Sequence, residues 1–275
     1  MSKNLKIHLL VIDPQNDFCD ITGATLPVSG ANADMQRLAA MIDRVGYKFE
    51  DIHVTMDSHR LIDIAHPAFW QDANGNPPSP FTLIFPDDIR SGIWTPRNLG
   101  FKARALAYTE ALAATGKYVL CIWPPHCLIG TWGHNVQSDL NAALQRWSEK
   151  EFAMVDYVTK GSNPWTEHYG AMMAEVPDPE DPSTDLNMDF IKMLRDADII
   201  LIAGEAGSHC VKSTVDQIAE HIGEEHVKKF YLLTDCISPV GAVPGGPDFP
   251  AIYKDWLVDM EKRGMTLTTS VDFLA

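Results

Sequence analysis

The sequence lacks any apolar run approaching the roughly 20 residues that a membrane helix needs. Its start, Met1 to Lys6, is polar and leads straight into a short strand-like run, so no secretory signal is read there. Basic residues are in deficit: 22 Lys and Arg stand against 37 Asp and Glu, a net charge of -15. That balance argues against a nucleic-acid or anionic-membrane surface, both of which attract excess positive charge. Cysteine is sparse as well. The five residues (Cys19, Cys121, Cys127, Cys210 and Cys236) are odd in number and show no CxxC spacing. They fit reduced thiols in a cytoplasm better than a disulfide framework. No internal repeat or low-complexity tract is evident.

What is present is ordinary globular material, 45% hydrophobic and 21% charged over 275 residues. Strand-like runs are read at 7–12, 51–56, 118–123, 152–158, 199–203, 230–233 and 267–270. Helical spacing is read at 30–45, 101–115, 136–147, 187–195, 211–222 and 251–262, with Ala105, Leu106, Thr109, Leu112 and Ala113 on one face of the second. The stretch 66–98 is rich in Pro, Gly, Asn and Trp with no clear period, and 177–185 and 241–250 read as surface loops. Strands alternating with helices predict right-handed βαβ units, hence a three-layer α/β/α architecture around a mainly parallel sheet. Ligands bind such sheets outside the carboxyl ends of the strands.

Asp13, Asp57, Lys160 and the turn before Cys210 all stand at such ends. Cys210 follows the apolar run Ile199 to Ala203 and the small residues Gly204, Ala206 and Gly207. A cysteine in the first turn of a helix sits where free N–H groups and the dipole favour its thiolate. A lone cysteine there is more often a core thiol, so its neighbours must decide.

Five stretches in order resemble the isochorismatase-like cysteine hydrolases, and within them the nicotinamidases: Ile12 to Cys19, Asp57-Ser58-His59 with His66-Pro67, Trp123 to Thr131, Lys160-Gly161, and Gly204 to Val211. The resemblance spans nearly the whole chain. It implies the Rossmann-like fold of that family with six strands, here a single domain over 1–275 with an insertion at about 67–122. It implies Asp13 as the proton carrier, Lys160 as the stabilising cation and Cys210 as the nucleophile. It implies an oxyanion hole from the N–H groups of Ala206 and Cys210, with a cis peptide at Glu205-Ala206. Asp57, His59 and His126, with His66 as a further ligand, imply a divalent metal, zinc first and iron or manganese as alternatives. Phe18 and Trp123 would sandwich a flat ring, and His209 and Tyr169 (or His168) would line the pocket. His8, His53, His134, His221 and His226 carry no motif and are read as structural or surface residues.

The expected reaction is hydrolysis of a small carboxamide through a thioester, nicotinamide to nicotinate and ammonia being the best guess, with a place in NAD salvage. The expected partners are that small amide and further copies of the chain, with no nucleic acid or membrane. The rivals are an N-carbamoyl or ureido amidohydrolase, which generally lacks the metal motif, an isochorismatase-like hydrolase, which would not depend on Cys210, and a catalytically silent scaffold. Two departures from the family pattern stand out. Ala206-Gly207-Ser208-His209, with Glu205 before them, replace the usual Thr and Asp or Asn ahead of the cysteine, and a long segment separates His66 from Trp123.

Overall fold

Strand β1 (Ile7–Ile12) is buried along its whole length, and its side chains divide between two apolar layers. Ile7, Leu9 and Val11 enter one cluster, and Leu10 and Ile12 enter another. This follows from the two-residue period of a strand with both faces covered. In the computed structural model, which describes residues 5–242 and 247–275, the elements continue as α1 (Ala31–Val45), β2 (Phe49–Asp57), β3 (Trp70–Gln71), β4 (Leu83–Ile84), α2 (Pro86–Ser91) and β5 (Thr95–Pro96). Next come α3 (Lys102–Ala114), β6 (Leu120–Cys121), α4 (Ser138–Glu151), β7 (Asp156–Lys160) and α5 (Met188–Asp196). The chain closes with β8 (Ile199–Gly204), α6 (Lys212–His221), α7 (Glu224–Val227), β9 (Phe230–Leu233), α8 (Phe249–Lys262) and β10 (Thr266–Thr268). The polar start at 1–4 and positions 243–246 of the 241–250 loop lie outside the described residues.

The central sheet has six strands in the order β10-β9-β8-β1-β2-β7. Every pairing in it is parallel. On one face α1 and α4 bury Met35, Leu38, Ile42, Leu140 and Leu144; on the other α5, α6 and α8 bury Ile191, Leu194, Val215, Ile218 and Trp256. The architecture is the expected three-layer α/β/α. Strand order reverses between β8 and β1, so a crevice opens at their carboxyl ends. Register then sets the neighbours there: Ile12 lies opposite Gly204, and Asp57 opposite Lys160. Among the described residues no helix is long and apolar enough to cross a membrane.

Three local readings shift. The run 118–123 is not a strand of the central sheet; only Leu120–Cys121 pairs, antiparallel with Leu83–Ile84. Its apolar alternation serves a separate cluster in which Leu120 and Ile122 meet Ile64, Trp70, Ile84, Ile89 and Leu112. On α3 the buried face includes Tyr108, whereas Ala113 faces solvent. The run 152–158 starts late: α4 continues to Glu151, Phe152 caps it at φ 51, and the strand begins at Asp156.

Gly204 shows how closely β8 approaches β1. Its φ is +119, and a Cβ there would stand 2.0 Å from the carbonyl oxygen of Ile12. Strain and overlap with backbone cannot relax through a side-chain rotation. Gly204→Ala is expected to destabilise the chain by at least about 3 kcal/mol, read from a urea unfolding curve. A loss below about 1 kcal/mol would show that the two strands can separate locally.

Candidate active site

Asp13 leaves β1 with φ 46, a conformation that turns its side chain into the crevice and is held from β2. The Asp13 N–H donates to Thr55 Oγ1 at 3.0 Å, and the Thr55 hydroxyl donates to Asp13 Oδ1 at 2.5 Å. Lys160, the last residue of β7, reaches across with its ammonium fully buried. Its Nζ lies 2.9 Å from Asp13 Oδ2, 2.9 Å from Asp57 Oδ1 and 2.8 Å from the carbonyl of His168. Asp57 Oδ1 and the His168 carbonyl accept hydrogen bonds from it, whereas the contact with Asp13 Oδ2 is an ion pair, that oxygen receiving no hydrogen bond. The same Nζ donates to Cys210 Sγ at 3.8 Å, a long contact to sulfur that sets the charge beside the thiol.

Cys210 lies in a π-turn, Gly207–Val211, which runs into α6. The Ala206 carbonyl accepts from the N–H groups of both His209 and Val211, at 3.0 and 3.1 Å. The Glu205-Ala206 peptide is cis. Burial pushes the Cys210 thiol well above its ordinary range; Lys160 opposes that, while the Asp13 and Asp57 carboxylates add to it. Burial also raises Asp13, against the pull of Lys160 and with the push of Asp57. Burial works to lower Lys160, but the carboxylates of Asp13 and Asp57 hold it well above its ordinary value. The resting site thus pairs a thiol with a carboxyl of raised proton affinity, both tied to one ammonium.

Asp57 faces two ways. Oδ1 goes to Lys160, while Oδ2 lies 3.0 Å from His59 Nε2 and 3.3 Å from His126 Nε2. Gln15 fixes it from behind: Gln15 Nε2 donates to the Asp57 carbonyl at 2.7 Å and the Asp57 N–H donates to Gln15 Oε1 at 2.7 Å. One ligand atom from each of Asp57, His59 and His126 lies within 4.8 Å of the others, and all three residues are buried. The opposite ring nitrogens are occupied. His59 Nδ1 faces Asp63 Oδ2 at 3.1 Å, and His126 Nδ1 donates to the Pro124 carbonyl at 2.8 Å. His66 Nδ1 donates to the Arg60 carbonyl at 3.1 Å, leaving a buried Nε2 with no partner. Burial also pushes His66 down to about 4, keeping its ring neutral. Its ring centroid sits 5.0 Å from that of His59 and 5.4 Å from that of His126. All three imidazoles are held through Nδ1, which points Nε2 of His59 and His126 at Asp57 and leaves that of His66 unpartnered, an orientation that metal ligands require. The donor set fits a divalent ion.

A cavity of about 440 Å³ opens over these groups. Phe18, Leu26, Phe81, Trp123 and Val240 make apolar wall; Asp57, His59, His126, His209 and Cys210 reach it as well. Every predicted substrate-binding residue (Phe18, Trp123, His209 and Tyr169) lines it. His66 packs behind His59 and His126 rather than on the wall. His8 and His53 form a separate buried pair 3.1 Å apart on β1 and β2, outside this site. His134 supports it from the side, its Nε2 lying 2.9 Å from Ser58 Oγ.

Two residues of the site escaped the sequence reading. Glu167 is buried on the cavity wall, accepts from Trp123 Nε1 at 3.2 Å, and is pushed up to about 8 by burial and by Asp63. Asp63 orients His59. The only signal for either was an acidic residue inside a Pro- and Trp-rich stretch, which is no pattern in itself.

No protein-family model matches the sequence, and no curated protein matches it. Solved structures do. A nicotinamidase/pyrazinamidase from Acinetobacter baumanii superposes with a TM-score of 0.61 at 20% identity, covering 99% of this chain and 100% of that one. An isochorismatase family protein from Desulfovibrio vulgaris gives 0.53 at 17%, covering 98% and 97%. The chain has the isochorismatase-like fold. A pyrazinamidase from Pyrococcus horikoshii in complex with zinc shares it, with a TM-score of 0.55 at 20% identity over 96% of this chain and 99% of that one. At such identities the likeness carries the isochorismatase-like fold only, and the chemistry rests on the side chains above.

Proposed function

We propose that this chain is a metal-assisted cysteine amidohydrolase that hydrolyses a small carboxamide, nicotinamide being the leading substrate. One observation carries the reading: a single buried ammonium, Lys160, ties Asp13, Asp57 and the Cys210 sulfur into one cluster beside two metal-ready imidazoles. The chemistry follows from those contacts. Cys210 gives its proton to Asp13 as Sγ attacks the amide carbon. The N–H groups of Ala206 and Cys210 receive the oxyanion. Asp13 passes the proton to the nitrogen as the C–N bond breaks, so ammonia leaves and a thioester remains. Asp13 then takes a proton from water, whose oxygen attacks the thioester carbon, and returns it to Sγ as the C–S bond breaks, so the thiol is restored and the acid product departs, giving its proton to the released ammonia. Lys160 balances the charge on Asp13 and Cys210 throughout. Asp57, His59 and His126, with His66 behind them, would hold the divalent ion, zinc first. When bound, it supplies a Lewis acid that orients and polarises a ligand.

Two things support this reading over its rivals. A ureido hydrolase has no need of the imidazole cluster, and a silent scaffold has no need of a buried Asp–Lys–Cys set. Five free cysteines suit a cytoplasmic setting. A second reading concerns only size. Pro80 and Phe81, from the long segment before Trp123, join the wall of the cavity, so a ring carboxamide larger than nicotinamide would also fit.

The test is an ammonia-release screen over nicotinamide, pyrazinamide, larger ring carboxamides, aliphatic amides and N-carbamoyl amino acids. The ring carboxamides are expected to reach a kcat/KM of about 10⁴ M⁻¹ s⁻¹ or more, the lower range for enzymes on their own substrates. Turnover confined to the N-carbamoyl compounds would replace this reading with the ureido one.

A further inference from the structure

Glu205 is fully buried where β8 passes into the nucleophile turn. Its N–H donates to the Ile12 carbonyl at 2.7 Å, and its Oε2 accepts the Ser238 N–H at 3.2 Å. The other carboxyl oxygen, Oε1, has no hydrogen-bond partner. Ser238 makes two further bonds. Its hydroxyl donates to Asp34 Oδ2 at 2.6 Å, and its carbonyl accepts the Gly207 N–H at 2.8 Å. Ser238 thus ties two carboxyl groups to the turn that carries Cys210. Two residues on, the Val240 N–H donates to Ser208 Oγ at 3.1 Å, and Val240 lines the cavity.

The charges around Glu205 decide its state. From α1 come Asp34 and Arg37, which are bonded to each other. Asp20 and Cys19 face it from the segment after β1, Asp235 and Cys236 stand beside Ser238, and Tyr253 of α8 packs on Gly207 with its own hydroxyl unpartnered. Arg37, half-exposed, is the cation of this group and serves Asp34. Two buried neighbouring carboxylates do not both ionise beside one such cation. Asp34 has Arg37 and a hydroxyl, whereas Glu205 has one backbone N–H and the Asp34 carboxyl itself, a carboxyl–carboxyl contact that needs a proton between them. The proton belongs on Glu205.

We propose that Glu205 is a positioning residue: as a neutral acid beside Asp34 it seats the Ser238 segment against the nucleophile turn, and its ionisation unseats it. For activity this rests on the amidohydrolase reading; for stability it does not. Burial, with Asp34 beside it, holds the carboxyl well above its ordinary value of 4.5. A raised folded-state pKa stabilises the fold fully below the unfolded value and loses that contribution as pH climbs towards the folded one. The stabilisation therefore declines upward from about 4.5.

The experiment compares the metal-loaded wild type, Glu205→Gln and Glu205→Leu from about pH 5 to about pH 9. Thermal melting and alkylation of Cys210 by iodoacetamide, mapped by mass spectrometry, are followed with ammonia release. Gln keeps the acceptor and cannot ionise, so its Tm relative to wild type is expected to rise steadily with pH. Its activity and alkylation ratios at about pH 9 over about pH 6 are expected to differ from those of wild type by about tenfold. Leu removes the acceptor and is expected to lose stability at every pH. A Tm difference between Gln and wild type that stays flat with pH would place the proton elsewhere and overturn the proposal. A rising Tm difference with unchanged activity and alkylation profiles would overturn the positioning role. Should no amide be turned over, the alkylation ratio alone decides, since it requires only an intact turn.

Discussion

Cys210→Ala is expected to cut ammonia release by at least about 10⁴-fold, the scale seen when a nucleophile is removed and only binding and oxyanion stabilisation remain. The substitution is clean for a structural reason. Cys210 makes no ion pair that the fold depends on, and its one contact with the ammonium is a 3.8 Å hydrogen bond to sulfur, while Asp13, Asp57 and the His168 carbonyl keep the ammonium in place. Removing Lys160 instead would leave the buried Asp13 carboxyl without its cation and Asp57 with the imidazoles alone, costing about 3–5 kcal/mol and confounding activity with folding. The assay pairs initial rates with thermal melts, and with mass spectrometry of a quenched reaction for an acyl adduct on Cys210. Cys19 and Cys236, both buried in the layer packed by α1, are expected to carry no adduct. A rate within about tenfold of wild type in Cys210→Ala would remove the nucleophile from the site.

Metal removal should have the second large effect. The chain is expected to bind about one divalent ion through Asp57, His59 and His126, measured by elemental analysis after purification without chelator. Stripping it is expected to lower activity by at least about 100-fold, with recovery on adding zinc, iron or manganese back. At a metal concentration about 1,000 times Kd the ion would add about 4 kcal/mol to folding stability, so the stripped protein should melt earlier. His126→Ala should abolish retention. Asp63→Ala, which removes the acceptor beside His59 Nδ1 and that of the Ala65 N–H, should weaken it by about 10–100-fold. Full activity in a preparation free of divalent ions would sink the metal assignment.

Much of this site was legible because each functional group follows an apolar run. Asp13 comes after Ile7–Ile12, Asp57 and Lys160 end β2 and β7, and Cys210 follows β8 by one turn. A parallel sheet puts such positions on one edge whatever its strand order. Where periodicity was ambiguous the reading slipped. Tyr118 to Trp123 alternates like a strand of the central sheet, yet it serves the local cluster around Trp70 and Ile84. Local sequence cannot say which apolar layer a side chain will meet.

By itself, then, the sequence determined the layers and the sheet edge at which Asp13, Asp57, Lys160 and Cys210 gather. Only the tertiary structure decided how they are joined. That one ammonium serves Asp13, Asp57 and Cys210, that Glu167 reaches the cavity wall, and that Glu205 meets Asp34 and Ser238 all depend on which strands are neighbours. These contacts bridge residues such as Asp57 and Lys160, 103 positions apart. No local period encodes a contact at that separation; packing and register create it.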